Sequence, residues 1–233
     1  MRQVIRRDRS EFDRGLGFFD AVFGFAITLL VANIDLPPAS AWASVSELLG
    51  HGLSDQIVGF IVSFVVIALF WKVNTGLIGR LRGMDGVVIA ANLLVVGLVV
   101  FIPFTTQGIS DSTISELPLP IAVYAVNVAA VILAQSMMFE VARARGLVED
   151  DDPPGTLWLL RIDTAIKVAV FLVSIPVAYL VSPGWGMTTW ALLLVVSPLF
   201  GRVIDRAQAE ARAHAGASGP SADTVPPADT PPL

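Results

Sequence analysis

Six long apolar segments constrain the fold of this chain more than any other feature. Each is about 18–25 residues long, the length that an α-helix needs to cross the roughly 30 Å hydrocarbon core of a bilayer. Hydrophobic residues make up 55% of the chain and charged residues only 15%, and the mean hydropathy is +0.72. This composition is outside the range of soluble globular domains. The sequence therefore predicts an all-α membrane protein with six transmembrane helices, near residues 18–36, 56–78, 85–106, 119–142, 157–181 and 185–204.

The remaining residues form short connections and two polar ends. The connections carry turn-forming residues, such as PPAS after the first span and EDDDPPG before the fifth. We divide the chain into a basic cytoplasmic N-terminus over 1–17, a six-helix transmembrane domain over 18–206 and a cytoplasmic tail over 207–233. The tail is rich in Ala, Pro, Ser and Asp, so it has almost nothing to bury and we expect it to be disordered.

The basic residues fix the orientation. Fourteen of the fifteen Lys and Arg lie before the first span, around the connections between spans two and three and spans four and five, or after the sixth span. The other three connections contain none, so the positive-inside rule predicts a multi-pass plasma-membrane protein with both termini in the cytoplasm. The outer ends instead carry acidic residues, whose charge would raise the local concentration of cations. These residues are Asp35, Glu47, Asp55, Asp111 and Glu116.

Several kinds of chemistry have no support in the sequence. The chain has no cysteine, and its two histidines, His51 and His214, lie outside the apolar spans. It contains no GxxxxGK loop, no HExxH motif and no TVGYG-type carbonyl filter. We therefore expect no enzyme activity, no catalytic residues, no metal site, no cofactor and no nucleic-acid partner.

One pair of ionisable residues falls inside a span. Lys167 lies about ten residues into the fifth span, and Asp163 lies one turn before it, so the two can pair on one helix face. Intramembrane charges often mark transport sites, which would make the pair a gate or a counter-ion. The other interpretation is that Lys167 extends towards the inner surface while it pairs with Asp163.

The first span carries an apolar stripe at helical spacing. The stripe consists of Val22, Phe25, Leu29 and Ala32, and Gly24, Thr28 and Val31 lie on a neighbouring face. Small residues such as Gly24 allow close approach of another helix. A stripe of this kind is usually a packing surface, and its periodicity alone does not define a pore.

The start of the first span resembles a known family signature. Arg14-x-x-x-Phe18-Phe19-Asp20 is similar to the RxxxFSD sequence in prokaryotic relatives of the lysosomal potassium channel, the transmembrane protein 175 family. Phe70-Trp71 resembles the FW-x-x-H stretch that closes the second helix of the family. Two further segments, Asn92-Leu93-Leu94 and Ile102-Pro103-Phe104-Thr105, resemble its third helix. With six helices and cytoplasmic ends, the resemblance covers nearly all of residues 10–205.

The resemblance implies a homotetramer in which four copies of the first helix line a potassium-permeable pore without a P-loop. The bulky aliphatic constrictions of the family fall on Phe25, Leu29 and Ala32, of which only Leu29 keeps the usual residue type.

The resemblance also implies a polar network at the cytoplasmic end of the first helix. That network would include Arg14, Asp20 and Trp71. Asn74 stands at the family's histidine position and cannot titrate, so we expect no histidine-linked pH response. For Asp20 itself, its place near the positive end of the helix favours a structural role, either capping that helix or pairing with Arg14.

We interpret the chain as a homotetrameric, potassium-permeable cation channel in the lipid bilayer, with potassium and other monovalent cations as permeant ions. A ring of apolar side chains around a narrow axis would gate by dewetting. One alternative is a small secondary transporter that uses Lys167 and Asp163 as the moving charge pair. A second alternative is a non-conducting membrane scaffold whose Phe25 ring is sealed.

Overall fold

The computed structural model describes residues 4–111, 113–149, 156–193 and 201–202, and these form an almost entirely helical bundle. A short strand, β1 (Val4–Arg6), precedes helix α1 (Ser10–Ala32). The remaining elements, in chain order, are α2 (Val45–Leu48), α3 (Ser54–Gly79), β2 (Gly83–Asp85), α4 (Gly86–Val100), α5 (Ile102–Ser110), α6 (Pro118–Ala144), α7 (Thr156–Leu180) and α8 (Pro183–Thr188). Single turns of tighter or wider helix cover Ala39–Ala43, Leu49–Leu53 and Thr189–Ala191.

Five segments among the described residues are long and apolar enough to cross a membrane. They are α1, α3, α4 together with α5, α6 and α7. The prediction of an all-α membrane protein is thus confirmed, and five of the six predicted spans have a counterpart. The sixth span, predicted at 185–204, is described only in part, since 194–200 and 203–204 are not among the described residues. A six-helix count stays a prediction, and so does a disordered tail over 207–233, which lies outside the described residues.

Helix α1 begins eight residues before the predicted first span of 18–36 and ends four residues earlier. Its first turn contains Glu11 and Asp13, whose negative charges are favourable at the positive end of a helix. The prediction was wrong at this end because it took the first apolar residue as the helix start. A helix can continue past the apolar region, and the eight added residues extend it by about 12 Å.

The third span is broken near its C-terminal end. Pro103 has no N–H and its ring clashes with a continuing helix, so α4 ends at Val100 and α5 begins at Ile102. The carbonyl oxygen of Pro103 accepts a hydrogen bond of 2.7 Å from Nδ2 of Asn33, which follows the last residue of α1. The C-terminal end of α1 is therefore tied to this break.

Helix α6 has the largest share of buried residues among the five long segments and packs against α4, α5 and α7. Its buried residues recur at helical spacing and include Ile121, Tyr124, Val128, Val131 and Met138. Because neighbouring helices cover α6 on several sides, it lies at the centre of the described bundle.

A polar cluster joins three helices within this core. The hydroxyl of Tyr124 lies 3.2 Å from Oγ of Ser63, which accepts a 2.6 Å hydrogen bond from Oγ1 of Thr106. A Cβ atom at Gly59 would come within 1.9 Å of Oγ of Ser110, so α3 and α5 approach each other closely there. Buried hydroxyls in a bilayer need such partners, since water is absent.

Candidate functional site

Helix α1 is covered on one side only. Phe19, Phe23, Ala26 and Leu30 are each at most 2% exposed, and α1 packs against α3, α4 and α5. The opposite side is open, and Phe25 is 58% exposed there. The other open residues on that side include Phe18, Ala21, Thr28 and Ala32. In a membrane such a face meets lipid, another protein copy or a pore.

The three predicted constriction residues lie on or beside the open side. Phe25 and Ala32 are exposed, while Leu29 is half-buried. The rise per residue of an α-helix places Leu29 about 6 Å, and Ala32 about 10 Å, beyond Phe25 along the axis. Oγ1 of Thr28 donates to the backbone oxygen of Phe25 at 2.8 Å, so this hydroxyl is turned back onto its own helix. The face is consequently apolar along these two turns.

Asp20 and Trp71 are brought together by the packing of α1 on α3. Nε1 of the Trp71 indole donates a hydrogen bond of 2.8 Å to Oδ1 of Asp20. Asp20 is the eleventh residue of α1, so the expectation that it caps this helix is wrong. Pairing with Arg14 is wrong as well, because residues six apart on a helix lie on different faces. Arg14 is exposed and makes no hydrogen bond or ion pair within the part of the chain that the structure describes.

Buried amides lie in the half of the bundle that contains β1 and β2. Asn74 is 2% exposed and its Oδ1 has no partner among the described residues. Asn92 on α4 is fully buried and neither of its amide atoms has a partner there. Nε2 of Gln135, by contrast, donates to the backbone oxygen of Phe70 at 2.8 Å. Unpaired amides are costly in a membrane interior. The sequence interpretation used Asn92 only as part of a resemblance, although a polar residue in an apolar span is itself a signal.

Lys167 and Asp163 form an ion pair within α7. Nζ of Lys167 lies 2.5 Å from Oδ2 of Asp163, and their side chains are 29% and 17% exposed. A second pair, Arg161 with Glu140 on α6, has a distance of 2.8 Å and side chains that are 58% and 36% exposed. The two pairs differ in their access to solvent and hence in the expected cost of breaking them.

A small polar recess lies where the C-terminal ends of α1 and α5 meet the N-terminal part of α3. Among its lining residues are Asp35, Gln56, Gln107 and Asp111, and it encloses about 20 Å³, the space of one water molecule. Asp35 and Gln56 exchange two hydrogen bonds, of 2.9 and 3.4 Å. Bonds from the hydroxyl and backbone amide of Thr113 hold the pKa of the Asp111 carboxyl below its usual range. Asp111 therefore stays charged at neutral pH.

Metal-binding groups are sparse in this structure. No set of three or more His, Asp or Glu side chains in the described ranges could hold a metal ion. The described residues thus offer no metal centre. The candidate functional site is the open face of α1, beside which lies the Asp20–Trp71 hydrogen bond.

Known proteins resemble this chain both in sequence and in fold. Residues 14–103 match the model of a family described as endosomal/lysosomal potassium channel TMEM175. The structure superposes on the crystal structure of a lysosomal potassium-selective channel TMEM175 homolog from Chamaesiphon minutus with a TM-score of 0.66, over 84% of this chain and 99% of that chain. Over residues 14–103 this chain is therefore similar to the TMEM175 family. The sequence identity to that structure is 23%, so this match itself shows the fold alone.

Two curated relatives that this chain is similar to are named as potassium channels. One, from Chryseobacterium sp. (strain P1-3), is 24% identical over 124 residues, or 53% of this chain. The chain spans 61% of the length of that relative. The other, from Streptomyces collinus (strain DSM 40733 / Tue 365), is 25% identical over 177 residues, or 75% of this chain and 85% of the relative. Because these names are those of ion channels, they confirm the prediction that the chain is not an enzyme.

Proposed function

We propose that this chain belongs to the TMEM175 family and is a potassium-permeable cation channel of the plasma membrane. The family match and the two relatives named as potassium channels support the ion and the class of transport. The observation that carries the proposal is the open apolar side of α1, where Phe25 is 58% exposed although the helix is packed on its other side.

The channel is a homotetramer in this proposal, with six spans in each copy and both termini in the cytoplasm. Four copies around an axis would bring four α1 helices together and cover the faces that a single chain leaves open. Lipid covers the outward surfaces of α3, α6 and α7, which expose large apolar side chains such as Leu69, Leu133 and Leu172. Aromatic residues near the ends of the bundle, Trp42, Trp158 and Trp185, are exposed as expected at membrane interfaces.

Two stacked rings would form the narrowest part of this pore. Phe25 supplies one ring and Leu29 the next, and Ala32 leaves a wider opening beyond them. A cation passing an apolar ring must shed water without gaining a ligand, so the ring closes by dewetting when it is narrow. Without a P-loop filter, discrimination among monovalent cations depends on dehydration and fit and should be modest. Asp20 and Trp71 act on this path indirectly, by fixing α1 against α3.

Reconstitution of the purified protein in a planar bilayer tests this function. We expect discrete current steps, with a reversal potential that shifts towards the potassium equilibrium potential under a potassium/sodium gradient. A second candidate, a secondary transporter, is favoured only by the Lys167–Asp163 pair. Saturable, gradient-coupled uptake without current steps would support that candidate, and absence of both signals would support a scaffold.

The proposed orientation, with both termini in the cytoplasm, can be tested separately. Cysteines introduced within 38–54 or 108–117 should react with an impermeant thiol reagent added outside intact cells, whereas cysteines within 76–83 should not. Suitable exposed positions are Ser46 and Glu116 for the outside and Gly79 for the inside. The chain has no native cysteine, so no other thiol of the protein reacts with the reagent. Gly79→Cys should react once the cells are permeabilised, which is the control. The reverse labelling pattern would overturn the topology.

A further inference from the structure

The first described residues of the chain form a strand that is paired far along the sequence. β1 runs antiparallel to β2, with Val4 opposite Asp85, Ile5 opposite Met84 and Arg6 opposite Gly83. The backbone N–H of Arg7 extends this pairing by donating to the carbonyl oxygen of Arg82 at 3.0 Å. The guanidinium of Arg7 donates to the carbonyl oxygens of Gly79 and Leu81 at the end of α3.

A third segment closes the other side of this pairing. Leu81 forms a backbone bridge with Val148, and the N–H of Arg82 donates to the oxygen of Leu147 at 2.8 Å. The N–H of Glu149 donates to the oxygen of Arg80 at 3.0 Å. We name the assembly of residues 4–7, 79–85 and 147–149 the inner clasp. It joins three parts of the chain at the end of the bundle that carries most of its basic residues.

Asp85 anchors the inner clasp to two helices. Its Oδ1 accepts hydrogen bonds of 3.1 Å from the N–H groups of Val87 and Val88, which caps α4. Its Oδ2 lies 2.5 Å from Nε of Arg145, the residue that follows α6. Asp85 is 2% exposed, so the β2 side of the clasp is fixed.

The β1 side is connected directly to α1. Only residues 7–9 separate β1 from Ser10, and they are ordered by hydrogen bonds from Arg9 N–H to the Arg6 oxygen and from Phe12 N–H to the Arg9 oxygen. Met84 also reaches α1, since its Cε lies 3.9 Å from where a Cβ on Gly15 would be. If β1 moves, the start of α1 must therefore move with it.

We propose that β1 is a positioning strand for α1, and that its pairing with β2 sets the open probability of the channel; this proposal rests on the proposed function. Three-residue strands pair weakly, and a two-stranded sheet is marginal on its own. The β1 side can therefore detach while Asp85 keeps the β2 side attached to α4 and α6. Detachment frees the inner end of α1, and α1 carries the constriction residues Phe25 and Leu29.

Gly83 offers a direct way to loosen the strand. A Cβ atom on Gly83 would lie 2.6 Å from the backbone oxygen of Ile5 and 3.2 Å from Cα of Arg6. Gly83→Ala must therefore push β1 away. Gly86→Ala is the matched control, because a Cβ there would meet nothing within 4 Å and the position is only three residues away.

The experiment compares these two variants with the unsubstituted protein in planar bilayers and by amide hydrogen exchange. We expect Gly83→Ala to change the open probability at least about threefold, since backbone hydrogen bonds are lost, with unitary current and reversal potential unchanged. Exchange at the amides of residues 10–14 should rise in the same variant. Gly86→Ala should match the unsubstituted protein in both measurements. Equal open probability in the two variants would overturn the proposal, whether or not exchange rises.

A second variant covers the case in which Gly83→Ala does not assemble. Ile5→Cys with Met84→Cys places two thiols at paired positions in a chain without other cysteines. Oxidation should lock β1 onto β2 and change the open probability, and reduction should restore it. Identical gating before and after oxidation would overturn the proposal. If the unsubstituted protein carries no current, the proposed function fails, and the exchange measurement alone then decides whether β1 positions α1.

Discussion

Replacing Leu29 with Ser should raise the current through the reconstituted protein about tenfold while the yield of assembled protein changes little. A serine hydroxyl lets water occupy the constriction, and a barrier lowered by about 1.4 kcal/mol is enough for a tenfold rate. Phe25→Ala should also increase the current, because it widens the neighbouring ring, where the side chain is 58% exposed in the single chain. Both variants should weaken the preference among monovalent cations. Unitary current and tetramer yield are measured together.

Helix α1 itself supplies matched controls for these two substitutions. Leu30 is adjacent to Leu29 but is 2% exposed on the packed side, and Phe23 is 1% exposed two residues before Phe25. Leu30→Ser and Phe23→Ala should lower the yield, at a cost on the order of 3 kcal/mol for the large-to-small change, without raising the unitary current. If Leu29→Ser instead lowers the yield and leaves the unitary current unchanged, Leu29 packs against protein and the pore assignment fails.

Removing one member of the Lys167–Asp163 pair should be among the most destabilising single changes in the chain. Lys167→Met leaves a carboxylate that is 17% exposed inside a membrane span without its partner at 2.5 Å. Breaking such a pair costs on the order of 3 kcal/mol, because the remaining charge is uncompensated. The double variant Asp163→Asn with Lys167→Met should recover most of the loss, since it buries no lone charge. Thermal stability in detergent measures both effects.

The more exposed pair between Arg161 on α7 and Glu140 on α6 provides the comparison. Arg161→Met breaks an ion pair whose side chains are 58% and 36% exposed, so it should cost no more than about 1 kcal/mol. A transport measurement on the double variant separates the structural interpretation of the Lys167–Asp163 pair from the transporter interpretation. We expect the stable double variant to keep its current steps, which makes the pair structural. If the double variant is stable but has lost all transport, the pair takes part in transport and the secondary-transporter interpretation is favoured.

The parts of the fold that the sequence predicts best are those with a strong local signal. Helices α3, α6 and α7 begin and end within about two residues of the predicted spans, because Ser, Pro or Gly stand at several of their ends. The start of α1 was missed although Ser10, Glu11 and Asp13 suit a helix N-terminus, because the charged residues and Gly15 and Gly17 interrupt the apolar pattern before Phe18. The β1–β2 pairing could not be predicted, because three-residue strands show no periodicity and lie about eighty residues apart.

For the candidate site, the sequence supplies the residues but not their surroundings. Helical spacing places Phe25, Leu29 and Ala32 near one face of α1, yet it cannot say which side of α1 is covered. Packing against α3, α4 and α5 covers the side that carries Phe19, Phe23 and Leu30 and leaves the other side open. The family resemblance places Asp20 and Trp71 in one network, and the two side chains are hydrogen-bonded although they lie fifty-one positions apart. The helix cap, which was inferred from the place of Asp20 in the sequence, is not present.

The two ends of α1 are attached to other parts of the chain, and this has a mechanical consequence. At one end the inner clasp holds the helix, and at the other Asn33 bonds to Pro103 and Asp35 to Gln56. The two attachments lie at different distances from the proposed constriction. Leu29 is one turn, about 6 Å, before Asn33, whereas Ser10 is about 28 Å before Leu29. A displacement of the Asn33–Pro103 attachment therefore reaches the proposed Leu29 ring over a single helical turn, while a displacement that begins at the inner clasp reaches it as a tilt of α1.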